Sequence, residues 1–196
     1  MSMTAAKLMT AEQFYEWCQR PENRGRSVEL ERGEIIDVPP PGKYHGFVCA
    51  NMAGILRDYA IKKQSGYVCT NDAGVIVARD PDTVRGPDVT FYLDSQTALD
   101  MDRRFAEQPP VLAVEVMSPS DRINQMAVRV SDLLGRGVPM VWVVDPEAGD
   151  VAVHRPGADP QLLEGADELT GGDLLEGFRC PVGELFAVPG KPTQAE

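Results

Sequence analysis

Glu115 stands inside the apolar run VLAVEVM (residues 111–117), where an unpaired charge is costly to bury. Asp88 opens a second such run, DVTFYL, directly after Pro87. Strand alternation puts Asp88 on one face with Thr90 and Tyr92, and Glu115 on one face with Val111, Ala113 and Met117. On neighbouring strands the two carboxylates would lie within reach of a common ligand. A hard divalent cation, Mg²⁺ or Mn²⁺, takes oxygen ligands from two elements in this way, completed by a backbone carbonyl, here that of Val116, and by water. Such a cation lowers the pKa of a bound water and offsets charge on a phosphoryl group under attack, and a nearby cationic side chain can steady the transition state. The competing reading is structural: Glu115 paired with Arg129, Arg122 or Arg85, and Asp88 merely starting a strand by bonding its own turn.

These acids need elements to position them. Thr10 followed by Gln13 forms a capping-box pattern and predicts a short helix over TAEQFYEWCQ. SVELERGEIIDV reads as a hairpin turning at Arg32-Gly33, with Glu29 and Glu34 free to alternate outward. From Tyr44 to about Lys63, the residues Val48, Met52, Ile55, Leu56 and Tyr59 share a helical face, with His45 at its first-turn edge. GYVCT and GVIVA read as a hairpin around Asn71-Asp72. After VLAVEVM, the residues Ile123, Met126, Ala127, Val130, Leu133 and Leu134 form one helical stripe, flanked by Arg122 and Arg129, and Ser118 and Ser120 are placed to cap that helix. VPMVWVVD follows as a strand buried on both faces, so the strand–helix–strand unit implies a parallel crossover. DVAVHR then pairs back upon it. The fold class expected is α/β, a mixed central sheet with hairpins at its margins and helices on its faces.

The chain has 196 residues, 43% of them hydrophobic and 25% charged, which suits one domain with a sizeable core. The division expected is a flexible N-terminus over 1–9, a domain over 10–188 and a disordered tail over 189–196. No apolar run is long enough to span a membrane, and the N-terminus lacks a secretory apolar core, which points to the cytoplasm. Cys18, Cys49, Cys69 and Cys180 are far apart in sequence and read as free, mostly buried thiols. The net charge of −11 opposes a broad nucleic-acid footprint, although a site needs only local cations or metal ions.

The segments GPDVTFYL, LAVEVMSPSDR, GRGVPMVWVVDPE and LLEGFRCPVGELF resemble, in that order, the Uma2 family (DUF820) of the PD-(D/E)XK restriction-endonuclease-like superfamily. The resemblance runs from about Thr10 to Phe186. It implies a restriction-endonuclease-like core, with Pro87-Asp88 as the PD motif and Glu115 as the second metal carboxylate. The superfamily lysine stands two residues after that glutamate, where this chain has Met117. In Uma2 proteins the lysine comes from the next helix, and the matching residue here is Arg129, which keeps the charge but cannot accept a proton. Glu29 matches a glutamate of the family's opening segment and is implied as a third acid. His45 matches the histidine that opens its first long helix.

The function implied is a metal-dependent endonuclease-like protein acting on nucleic-acid phosphodiester bonds, DNA foremost, as a homodimer. The alternative is a catalytically inactive nuclease-fold module for binding or regulation, favoured by the missing lysine and the acidity.

Overall fold

The computed structural model describes residues 8–101, 103–119, 123–188 and 190. Helix α1 (Ala11–Gln19) carries the expected capping box, with the Gln13 N–H donating to the Thr10 hydroxyl and the Thr10 N–H to the Gln13 side chain. Strands β1 (Val28–Glu31) and β2 (Glu34–Asp37) form the hairpin. Its turn residues Arg32 and Gly33 both have positive φ, 50° and 82°, as a two-residue turn matched to strand twist requires.

Helix α2 (Lys43–Lys63) buries Val48, Met52, Leu56 and Ala60. It is followed by β3 (Tyr67–Thr70), β4 (Val75–Ala78), β5 (Thr83–Arg85), β6 (Val89–Tyr92) and β7 (Leu112–Val116). Helix α3 (Ile123–Arg136) then leads to β8 (Val141–Asp145), β9 (Asp150–His154), β10 (Gln161–Glu164), β11 (Glu168–Gly171) and β12 (Leu175–Pro181), closed by a 3₁₀ turn at Val182–Phe186.

Six strands form the central sheet in the order β10-β9-β8-β7-β6-β3, and four form a second, β2-β1-β5-β4. Only β7 and β8 run parallel in the central sheet, as the crossover through α3 demands. One face of that sheet, with Val89, Phe91, Leu112, Val114, Trp142 and Val144, packs against α2 and the C-terminal strands. The opposite face, with Ala113, Val141 and Val143, packs against Val75 and Val77 of β4 and against Met126, Val130 and Leu133 of α3.

Several local expectations are corrected. GYVCT and GVIVA do not pair with each other: β3 joins β6 in the central sheet and β4 joins β5 in the second. Asn71 and Asp72 have positive φ, 64° and 54°, so the turn is there, but it hands the chain from one sheet to the other. The hairpin of β1 and β2 likewise belongs to the second sheet rather than to a margin of the first. The apolar stripe of α3 also begins a turn later than the pattern suggests, because Ile123 is 80% exposed. Arg122, Ser120 and most of the two expected tails lie outside the described residues. Of the four free thiols only Cys180 is buried; the others are partly exposed.

Candidate active site

Strand β6 runs antiparallel to β7 with Val89 opposite Val114 and Thr90 opposite Ala113. Continuing that register by one residue sets Asp88 opposite Glu115, on the face covered by α3 and β4. The Asp88 Oδ2 accepts the Val116 N–H at 2.7 Å, which ties the carboxylate to the end of the neighbouring strand. Its Oδ1 lies 3.3 Å from the His45 Nε2, on the first turn of α2.

Glu115 is 2% exposed. Its Oε2 lies 3.1 Å from the Arg129 Nη2. Among the described residues nothing donates to Oε1, which is buried as well. Buried acceptors are rarely left in this state unless a ligand or function accounts for them. Burial pushes the Glu115 carboxyl up to about 8; Arg129 works against the rise, and the negative charges of Asp88 and Glu29 add to it.

Arg129 lies three residues after the buried Met126 and four before the buried Leu133 on α3, so its side chain shares their face and is carried against the sheet rather than out to water. Its Nη1 donates to both oxygens of Glu29, at 2.8 and 2.7 Å, and its Nη2 to the Gly86 carbonyl at 3.2 Å. Burial opposes its charge, but Glu115 and Glu29 outweigh burial and raise it above arginine's ordinary value. Glu29, buried on β1, also accepts the Gly86 N–H at 2.7 Å and the Arg85 Nη1 at 3.2 Å. It does not alternate outward, whereas Glu34 does. Arg85 is held in turn by Asp132 and Glu31.

All five expected catalytic residues, Asp88, Glu115, Arg129, Glu29 and His45, line one cleft of about 500 Å³, together with Val116. Ser118, which was expected to cap α3, also lines it. Three contributors were missed in the sequence. Asp72 stands at the rim, where desolvation, then the charges of Asp88 and Glu29, raises its carboxyl. Gly86 lets it approach: a Cβ there would meet the Asp72 backbone and side chain at 2.9 Å. Cys49, one turn after His45, brings its Sγ within 3.4 Å of the His45 Nδ1, and burial, followed by Asp88 and Asp72, raises its thiol. The His45-to-Cys49 spacing of four was a visible signal; nothing local in the sequence pointed to Asp72.

Four carboxylates, those of Glu29, Asp72, Asp88 and Glu115, thus face the fully committed guanidinium of Arg129 and part of that of Arg85, while Arg26, which also lines the cleft, is paired with Asp37. The cleft is short of positive charge, and its one orphaned buried oxygen is an acid's. Residues and fold together define a mixed α/β protein with paired acids at adjacent strand ends.

The pattern that defines the Uma2 family, described as "Putative restriction endonuclease", matches residues 11–183, and the chain belongs to that family. Its fold is shared with a solved structure described as a putative nuclease belonging to DUF820, from Anabaena variabilis. The TM-score is 0.76 at 17% sequence identity, over 91% of this chain and 97% of that one. No curated protein matches the sequence.

Proposed function

We propose that this protein is a divalent-metal-dependent nuclease that hydrolyses phosphodiester bonds in nucleic acid, DNA foremost. The observation that carries the reading is the buried Oε1 of Glu115, without a partner among the described residues, beside Asp88 in an acid-rich cleft. Asp88, Glu115 and the Val116 carbonyl would hold Mg²⁺ or Mn²⁺, oxygen donors suited to a hard cation. When bound there, such a cation would activate water and offset charge on the scissile phosphate.

The chain's own residues do the rest. Val116 orients Asp88 through its N–H. Arg129 fixes Glu29 and Glu115 and supplies positive charge beside the reacting phosphate, but it takes no proton. Asp72, at the rim with its carboxyl raised by desolvation, would be the carboxylate that accepts a proton from an attacking water. His45 steadies Asp88.

The test is calorimetry with Mn²⁺ on the wild-type protein, Asp88→Ala and Glu115→Gln, alongside plasmid cleavage. Binding and cleavage should both be present in the wild type and lost in either variant. Absence of wild-type binding at millimolar metal would sink the reading.

One observation favours a second reading, an inactive nuclease-fold module: Arg129 already pairs with both Glu29 and Glu115 without any metal. Wild-type protein that binds Mn²⁺ but leaves plasmid intact, while Arg129→Lys cleaves it, would decide for that module. Family membership and the absence of any described helix able to cross a membrane fit a nucleic-acid substrate met in solution. We propose a homodimer in the cytoplasm as the working form, with sedimentation as the check on its assembly.

A further inference from the structure

We propose that His45, Cys49 and Asp88 form a site for a thiophilic divalent cation of the Zn²⁺ class, distinct in its donors from the all-oxygen site formed by Asp88, Glu115 and Val116. His45 and Cys49 are four residues apart on α2, so their side chains lie on one face a turn apart. The Sγ is 3.4 Å from the His45 Nδ1, and the His45 Nε2 is 3.3 Å from the Asp88 Oδ1. One imidazole nitrogen, the sulfur and one carboxylate oxygen all lie within 4.8 Å of one another. Tetrahedral ligands at bond lengths of about 2.0–2.3 Å sit roughly 3.3–3.8 Å apart. Because the sulfur lies on the Nδ1 side of the ring and the carboxylate on the Nε2 side, closing on a cation requires the His45 ring to turn until one nitrogen faces both.

The donor set decides the class of metal. Sulfur and imidazole nitrogen favour Zn²⁺ and its transition-metal neighbours, whereas Mg²⁺ takes oxygen. The Val116 N–H on the Asp88 Oδ2 is a supporting bond of the kind that orients metal-binding carboxylates. Three protein ligands leave a fourth position for water. Binding breaks the Cys49 S–H bond and forms a sulfur–metal bond; the proton goes to solvent, and no electron changes hands. Thiolate and carboxylate together balance the dication. Among the described residues no other such group converges.

Because Asp88 serves both sites, a cation held by His45 and Cys49 would withdraw it from Glu115 and inhibit the enzyme. This consequence, unlike the site itself, rests on the nuclease reading.

Co²⁺ serves as the spectroscopic probe, added to the full chain under reducing conditions. A thiolate-to-cobalt charge-transfer band should rise and saturate at one equivalent, and Zn²⁺ should remove it by displacement. Cys49→Ser should abolish the band, and His45→Ala should weaken Co²⁺ binding by more than about tenfold. No band in the wild type, or one that persists in Cys49→Ser, overturns the proposal. Calorimetry with Mn²⁺ keeps the two readings apart. Cys49→Ser that still binds Mn²⁺ is a folded protein lacking only the thiophilic site. Wild type that shows the cobalt band but binds no Mn²⁺ would sink the nuclease reading and leave this one standing.

Discussion

Burial is the largest influence on the Glu115 carboxyl, and it sets a pH dependence with a definite sign. The folded value, pushed up to about 8, lies above the unfolded value near 4.5. The folded state therefore holds a proton that the unfolded state loses between those limits. Stability from this proton is present below pH 4.5 and is lost as pH rises through 8, by about 1 kcal/mol per unit at most. Urea denaturation of wild type against Glu115→Gln at several pH values should show the wild type losing ground as pH rises and the variant escaping that loss. Cation binding runs the opposite way. It must expel the same proton, so Mn²⁺ affinity measured by calorimetry should rise up to about tenfold per pH unit until pH 8 and then level off. Removing the compensating charge has its own effect. Arg129→Ala would leave Glu29 and Glu115 facing each other inside the protein, at a cost of about 3–5 kcal/mol in chemical denaturation.

At the scale of elements, the site depends on how closely the β5–β6 segment passes the loop after β3. Gly86 sits at that crossing, with its N–H on Glu29 and its carbonyl on Arg129. Gly86→Ala would press a methyl group into Asp72 and should destabilise the fold by about 1–3 kcal/mol, read from the denaturation midpoint, while weakening Mn²⁺ binding. Helix α3 was legible because its apolar period is strong, and it delivers Arg129 through the buried Met126, Val130 and Leu133. The pairing of β3 and β4 was not legible. Asn71-Asp72 is a sound local turn, and its φ values bear that out, but a turn does not choose the partners of the strands it joins. Those partners, β6 and β5, are set by side-chain packing between segments distant in the chain.

For the whole molecule, the proposed nuclease function would require a net charge of −11 and a cleft of acids to meet a polyanion. Nucleic-acid binding should therefore be very weak in chelator and should gain about tenfold or more when Mn²⁺ is added to the cleavage-impaired Asp72→Asn, measured by fluorescence anisotropy. Affinity unaffected by metal would argue for a separate cationic surface.

The sequence alone was enough for the capping box of α1, the turn at Arg32-Gly33, the helices α2 and α3, the crossover, and the strand faces on which alternation puts the two acids. These are local matters of period, turn chemistry and the cost of burying a charge, and each is readable within a dozen or so residues. Tertiary structure decided what surrounds the acids. Arg85, on the paired strand β5, and Gly86 just beyond it hold Glu29, Asp72 leans in from a loop, and Cys49 approaches Asp88 from a helix. Contacts among residues so far apart depend on sheet order and packing, for which no single stretch of sequence carries the information. The same packing shows why Arg129 is neither a free phosphate clamp nor a solvated surface charge: Glu29 and Glu115 reach it from different sheets, and only the fold brings them together.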